Sequence, residues 1–261
     1  MFSNAILSRS YASFVLAVSF MLVAGCSQSE TADWPAALDA LEGQGLTIVQ
    51  EVEEAGSLRV FAGIANDRPV AVYVTDENQV IVGTRVGSRG ERVDEATLEA
   101  LVARPISDQT WGELERATWV QDGQMDAPRV IYTFSDANCP YCNRFWQAAR
   151  PWVEAGRVQL RHIFVGVIRA DSPAKAAAIL GAPDPSAALT ENERNFDQGG
   201  ITPADNVPTD VRRTLDDHQM LMRSTGFRGT PGIVVRGDDG LIQKYSGMPA
   251  DTQLVELLGP R

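Results

Sequence analysis

Cys139 and Cys142 stand in the stretch SDANCPYCNRFW, Ser135 to Trp146, and are two of only three cysteines among 261 residues. Two thiols at this spacing can exchange with disulfides, supply half of a metal site, or be neighbours by accident. As a structural staple the pair would do little, because a bond closing so small a loop barely restricts the unfolded chain. A zinc site needs two further ligands, and the chain's two histidines, His162 and His218, lie far apart without finger spacing. Redox chemistry is the preferred reading, with no metal and no organic cofactor expected.

The flanking residues suit that chemistry. RVIYTFS, Arg129 to Ser135, is a β-branched and aromatic run that reads as a buried strand. A helix is expected to start at the cysteines and run through NRFWQAARPWVEAG, bent or broken at Pro151 and ended by Gly156. Cys139 would then be the N-cap, its sulfur accepting from free N–H groups while the helix dipole favours thiolate. Pro140 fits the first turn, where its missing N–H is not needed. Cys142, one turn in, would be shielded and would resolve the mixed disulfide that Cys139 forms. Asp136 and Asn138 are expected to cap this helix.

RVQLRHIFVGVI reads as a second apolar strand and completes a βαβ unit. Beyond Ala170 the pattern is helical, in SPAKAAAILG and again in DVRRTLDDHQMLMRSTG, with a Pro/Asp/Asn-rich excursion between them reaching Thr209. TPGIVVRGDDGLIQKYSG reads as a hairpin turned at Gly237 to Gly240, and a last helix covers Ala250 to Leu258. Residues 124–261 thus form a thioredoxin-like domain with a helical insertion at about 170–225. His162 is expected to be a satisfied core or edge histidine, and Phe145, Trp146 and Trp152 to be core. Met220 and Met222 are expected to fill core gaps.

Residues 34–93 read as a helix from Trp34 to Gly45 followed by strand runs beginning at Leu46, Leu58, Arg68 and Gln79. Residues 94–123 carry helical spacing and read as a linker helix, interrupted near Pro105. Glu91, Asp94, Glu95 and Glu99 are expected to be a solvated face. At the start of the chain, Arg9 precedes an apolar stretch too short to span a bilayer comfortably, which reads as an export signal over residues 1–25. LVAGC resembles a bacterial lipobox, which would make Cys26 a lipidation site and residues 26–33 a tether. The alternative is an ordinary secretory signal with Cys26 a bystander. A formal net charge of −11 argues against a nucleic-acid partner.

The run FSDANCPYCNRFWQAARPWVEAG, the following SPAKAAAIL and the later GTPGIVV resemble the DsbC/DsbG family of periplasmic disulfide isomerases. The likeness is strong from about Ala127 to Ile179 and looser over most of the mature chain. It implies an α+β architecture in which cystatin-like N-terminal domains form a homodimer and linker helices carry two thioredoxin domains around a shared cleft. It further implies Cys139 as nucleophile, Cys142 as resolving thiol, and Thr230 with Pro231 as a cis-proline loop beside them. Pro140 and Tyr141 match the dipeptide that tunes the reduction potential. The implied partners are oxidised or misfolded exported proteins and a DsbD-type membrane reductant. Two features depart from the pattern: the lipobox is unusual for the family, and Thr133 or a neighbour stands where thioredoxin keeps a buried acid. Two other readings stay open, a DsbA-like oxidase and a chaperone-type binding protein with secondary thiol activity.

Overall fold

The computed structural model describes residues 34–55, 58–66 and 68–260; the expected export signal, Cys26 and tether lie outside the described residues. The described chain opens with helix α1 (Ala36–Glu42), then strands β1 (Leu46–Ala55), β2 (Leu58–Ala65), β3 (Arg68–Val74) and β4 (Val80–Gly83) in an antiparallel meander. The β3–β4 turn works because Asn78 takes a left-handed φ of 59°, which asparagine tolerates. Val60, Phe61 and Ala62 are consecutive and all buried, so β2 is covered on both faces rather than alternating with solvent. Val60, Ala71 and Tyr73 pack with Leu98 of the helix that follows. β4 is an edge strand with Ile81 and Val82 about half exposed.

That following helix is not uniform. α2 (Glu95–Leu98) passes through a π-helical turn, Glu99–Ala103, into α3 (Arg104–Arg116). The interruption expected near Pro105 is thus a change of helical pitch rather than a break. Proline has no N–H to donate and its ring crowds the carbonyl four residues back, and a wider turn just ahead of it relieves both. Helix ends at Arg116, earlier than the expected 123, and Val120–Asp122 is a strand, β5. Nor is α3 only a connector. Leu114 is fully buried among Tyr132, Phe134 and Val234, and Trp111 meets Tyr132 edge-on at 5.1 Å. Asp94 corrects the expectation of a solvated acidic face: it is buried, accepting from Tyr73 Oη at 2.8 Å and Arg85 Nη2 at 2.7 Å.

The second sheet runs β5-β7-β6-β8-β9, with β6 (Arg129–Ser135), β7 (Val158–Phe164), β8 (Gly232–Arg236) and β9 (Ile242–Ser246). β6 and β7 are parallel and joined by α4 (Pro140–Glu154), the expected βαβ unit. β8, β9 and α8 (Asp251–Leu258) complete a thioredoxin-like α+β fold. Strand alternation sorts β6 between two cores. Ile131 faces Phe145, Trp152 and Leu257 of α4 and α8, while Tyr132 and Phe134 face α3 and Phe227. α4 continues through Pro151 to Glu154 without the expected break. Pro151 is exposed, whereas Ala149, Trp152 and Val153 on the buried face hold the helix to the sheet.

Between β7 and β8 lie α5 (Ser172–Leu180), α6 (Pro185–Arg194) and α7 (Thr209–Ser224). The excursion before Thr209 therefore contains a helix, α6, that its Pro, Asp and Asn content obscured. Pro185 sits in its first turn and Asp184 caps it by accepting from Ala187 N at 3.0 Å. Leu189 of α6 joins Phe164, Ile179 and Leu215 in a third core cluster.

Candidate active site

Cys139 occupies the end of the loop leaving β6, with extended backbone angles, and is the N-cap of α4. Its sulfur accepts from Cys142 N at 3.2 Å, satisfying a backbone donor that a helix start would otherwise leave free. When protonated, it donates to the Thr230 carbonyl oxygen at 3.4 Å. The Thr230–Pro231 peptide is cis, the conformation that the resemblance implied. The bond to Cys139 brings Thr230 to the dithiol from 91 residues away in the chain, with Pro231 next to it in sequence. Pro140 and Tyr141 form the first turn of α4; Tyr141 is 51% exposed, and the Arg144 guanidinium lies 5.3 Å from its ring centroid.

The two thiols differ in electrostatics. The Cys142 side chain, held against the Cys139 sulfur, lowers the Cys139 pKa to about 7 against the cost of burial, helped by Thr230 and the backbone N–H groups of Cys142 and Tyr141. Burial pushes Cys142 well above the ordinary thiol value, and the neighbouring Cys139 adds to the rise. Both have little accessible surface, 2% for Cys139 and 4% for Cys142, but burial is the leading influence on the Cys142 thiol and is outweighed at Cys139, so Cys142 is the more deeply shielded of the two, as expected. Both are free thiols.

Asp136 and Asn138 do not cap α4, because Cys139 does. The Asp136 carboxylate instead accepts from Asn138 N at 2.9 Å, Ser172 Oγ at 2.7 Å, Val167 N at 2.5 Å and Ile168 N at 3.0 Å. The Asn138 side chain donates to Asp171 and Ser172 and accepts from the buried Lys175 ammonium at 2.7 Å. None of Ser172, Asp171 or Lys175 stood out in the sequence. Beneath α4, Thr133 is fully buried and its hydroxyl lies 3.4 Å from Ser135 Oγ, which in turn meets His162 Nδ1 at 3.2 Å. His162 is buried, and its Nε2 has no hydrogen-bond partner but lies 3.5 Å from the Asp122 carboxylate. It is therefore less fully satisfied than expected. Met222 fills the core as expected, whereas Met220 is 57% exposed.

Two buried carboxyls near this row went unnoticed in the sequence. Burial of Asp122 opposes its ionisation, but His162 and a bidentate Arg150 outweigh it and hold the carboxyl at about 2. Burial of Glu193 dominates in the other direction and raises its pKa despite hydrogen bonds from Asn143 and Asn192. Glu193 sits in TENERNF, a segment that reads as a polar surface helix, so nothing local marked it as buried. Among the described residues, no group of three or more His, Cys, Asp or Glu side chains is arranged to hold a metal ion. Nor is any described helix long and apolar enough to cross a membrane.

A low-pKa cysteine capping a helix, with its partner thiol one turn deeper in a thioredoxin-like fold, makes this protein a thiol-disulfide oxidoreductase. No protein-family model matches the chain. Two curated relatives match along nearly its whole length. Thiol:disulfide interchange protein DsbG of Pseudomonas aeruginosa is 40% identical over 228 residues, covering 87% of this chain and 89% of that protein. DsbG of Escherichia coli K12 is 35% identical over 226 residues, covering 86% and 91%. The chain belongs to the DsbG family of thiol:disulfide interchange proteins. Among solved structures, the catalytic domain of Proteus mirabilis ScsC aligns with a TM-score of 0.50 at 24% identity, covering 59% of this chain and 96% of that domain. That likeness speaks to the fold alone.

Proposed function

We propose that the protein is an exported disulfide isomerase and reductase working through the Cys139-Pro140-Tyr141-Cys142 dithiol. The observation that carries this reading is the capping geometry of Cys139, whose sulfur accepts from Cys142 N at 3.2 Å and meets the Thr230 carbonyl oxygen at 3.4 Å; it accords with a Cys139 pKa lowered to about 7 and a Cys142 pKa pushed up. A Cys139 thiolate attacks one sulfur of a substrate disulfide, forming a mixed disulfide and expelling the other sulfur as thiolate. In isomerisation that freed thiolate attacks elsewhere in the substrate, and Cys139 is eventually released with no net transfer of electrons. In reduction Cys142 loses its proton and attacks Cys139, the substrate leaves with two thiols, and the enzyme keeps a Cys139–Cys142 disulfide. A sulfenic acid is handled in the same way: Cys139 displaces hydroxide, and Cys142 then resolves the adduct.

On this reading Thr230 and Pro231 hold the substrate backbone beside Cys139, and Pro140 and Tyr141 tune the potential. A DsbD-type membrane reductant restores the dithiol in the periplasm. Residues 34–93 form the dimerisation domain, residues 94–123 the connection and residues 124–261 the catalytic domain. The half-exposed apolar side chains on edge strand β4 support a homodimer, since an unpaired edge of this kind favours pairing with a second copy. Acylation at Cys26 would tether the dimer to a membrane; an ordinary signal cleavage would leave it free.

Cys142→Ala, which cannot resolve its adducts, tests the proposal by trapping substrates for mass spectrometry. Multi-cysteine partners support isomerisation, and partners with one cysteine support reduction of oxidised thiols. Absence of any adduct refutes both and favours a chaperone-type binding protein. A strongly oxidising potential would instead favour the oxidase reading.

A further inference from the structure

The chain leaves β7 through Val165 and Gly166 and reaches α5 by a short loop whose middle residues, Val167 and Ile168, are 43% and 45% exposed. These are apolar side chains turned to solvent on a loop whose backbone is tied to Asp136, three residues before Cys139; Tyr141, in the first turn of α4, is exposed as well. Gly166 takes a left-handed φ of 62°, and an added Cβ would lie 3.2 Å from Pro173, so the turn that presents them needs glycine. The backbone of this loop is held by Asp136, which is 1% exposed and also fixes the start of the catalytic loop, accepting Cys139 N on its carbonyl at 3.0 Å.

The two carboxylate oxygens of Asp136 divide the work. Oδ1 accepts from Asn138 N and Ser172 Oγ, closing the turn before Cys139; Oδ2 accepts from Val167 N and Ile168 N, holding the loop. Four donors converge on one buried group, and only a side chain that accepts on both oxygens satisfies them all. We infer that Asp136 is a positioning residue that clasps the Val167–Ile168 loop to the catalytic loop, making an apolar platform for the polypeptide flanking the cysteine under attack. This inference rests on the interchange activity proposed above but not on its direction, because a polypeptide has to be seated whether it is isomerised, reduced or oxidised.

Asp136→Asn separates the two oxygens. The amide oxygen can keep the Oδ1 bonds, so the turn before Cys139 survives, while the amide nitrogen, itself a donor, faces Val167 N and Ile168 N. The expected result has two parts. Hydrogen exchange at the Val167 and Ile168 amides accelerates at least about tenfold, while the Asn138 and Cys139 amides keep their protection. The specificity constant toward a polypeptide disulfide falls at least about ten times more than that toward a small aromatic disulfide, which needs no platform. Exchange unchanged at Val167 and Ile168, or equally lost at Asn138 and Cys139, would overturn the clasp. Equal losses toward both substrates would overturn the platform. Should Asp136→Asn fail to fold, Ser172→Ala removes one donor to Asp136 and the acceptor of Arg169 N. It is expected to cost about two- to fivefold toward the polypeptide, with a smaller loss toward the small disulfide; no difference between the two would also refute the platform. A reversed redox direction would overturn the isomerase and reductase reading while leaving these ratios intact.

Discussion

Replacing Cys142 by alanine removes the first of the influences that hold the Cys139 pKa at about 7, the Cys142 side chain against its sulfur. The Cys139 titration midpoint should therefore move up toward the free-thiol value of 9.0, while Cys142→Ser, which keeps a hydroxyl donor, should move it less. The consequence for rate is calculable. At pH 7 a pKa near 7 gives about half thiolate, against about 1% for an unperturbed thiol at 9. The lower pKa also costs intrinsic nucleophilicity, about six- to tenfold for two units at a Brønsted slope of about 0.4–0.5, so the net gain is about five- to eightfold. Thiolate absorbance at 240 nm and the pH dependence of iodoacetamide alkylation read both quantities. A wild-type midpoint near 9, or an alanine variant titrating at or below the wild type, would refute the reasoning. The same shift links to stability. A depressed folded-state pKa stabilises the reduced protein at high pH, so the Cys139 contribution should be lost as pH falls through about 7, while the raised Cys142 pKa works in the opposite direction above pH 9.

Asp122→Asn should destabilise the protein at pH 7 by about 3–5 kcal/mol, because it leaves Arg150 without its bidentate partner. The Asp122 pKa is depressed on folding, so about 2 kcal/mol of this difference should disappear between pH 4 and pH 2, as urea titrations across that range would show. Leu114→Ala, at a fully buried position of α3, should cost about 2–5 kcal/mol in urea denaturation; a change below about 0.5 would mean that α3 is a loose connector. The proposed homodimer predicts that the wild type sediments as a dimer at micromolar concentration and that Ile81→Lys on edge strand β4 converts it to monomers; a monomeric wild type would refute the dimer, and a variant that stays dimeric would place the interface elsewhere.

The local grammar of the chain carried much of the architecture. The strand bounds of β2, Leu58–Ala65, coincide with the run read from its residues, because β-branched and aromatic residues bounded by turn formers need little outside help. Cys139 as N-cap was legible for a similar reason: strand residues, a cysteine, a proline at the first helical position and a helical pattern all act within a few residues. Where elements were misread, a nonlocal cause acted. β5 is three residues long and is a strand only because it pairs with β7, whose Leu160 to His162 lie some forty residues on. Pro151 failed to break α4 because sheet packing on the opposite face outweighed local propensity.

Thus the dithiol, its helix and its capping geometry were decided by neighbours in sequence, through hydrogen bonds and dipoles that span one helical turn. Burial was not. Asp94, Asp136, Lys175 and Glu193 are ordinary polar residues in the sequence, yet each is enclosed by segments brought from elsewhere in the fold. Cost and compensation of that kind depend on which donors and charges arrive from distant segments, as Val167 N and Ile168 N arrive at Asp136 from across the βαβ unit. Only the tertiary structure could decide which acids ionise, which loops they hold and what surface the nucleophile presents to its substrate.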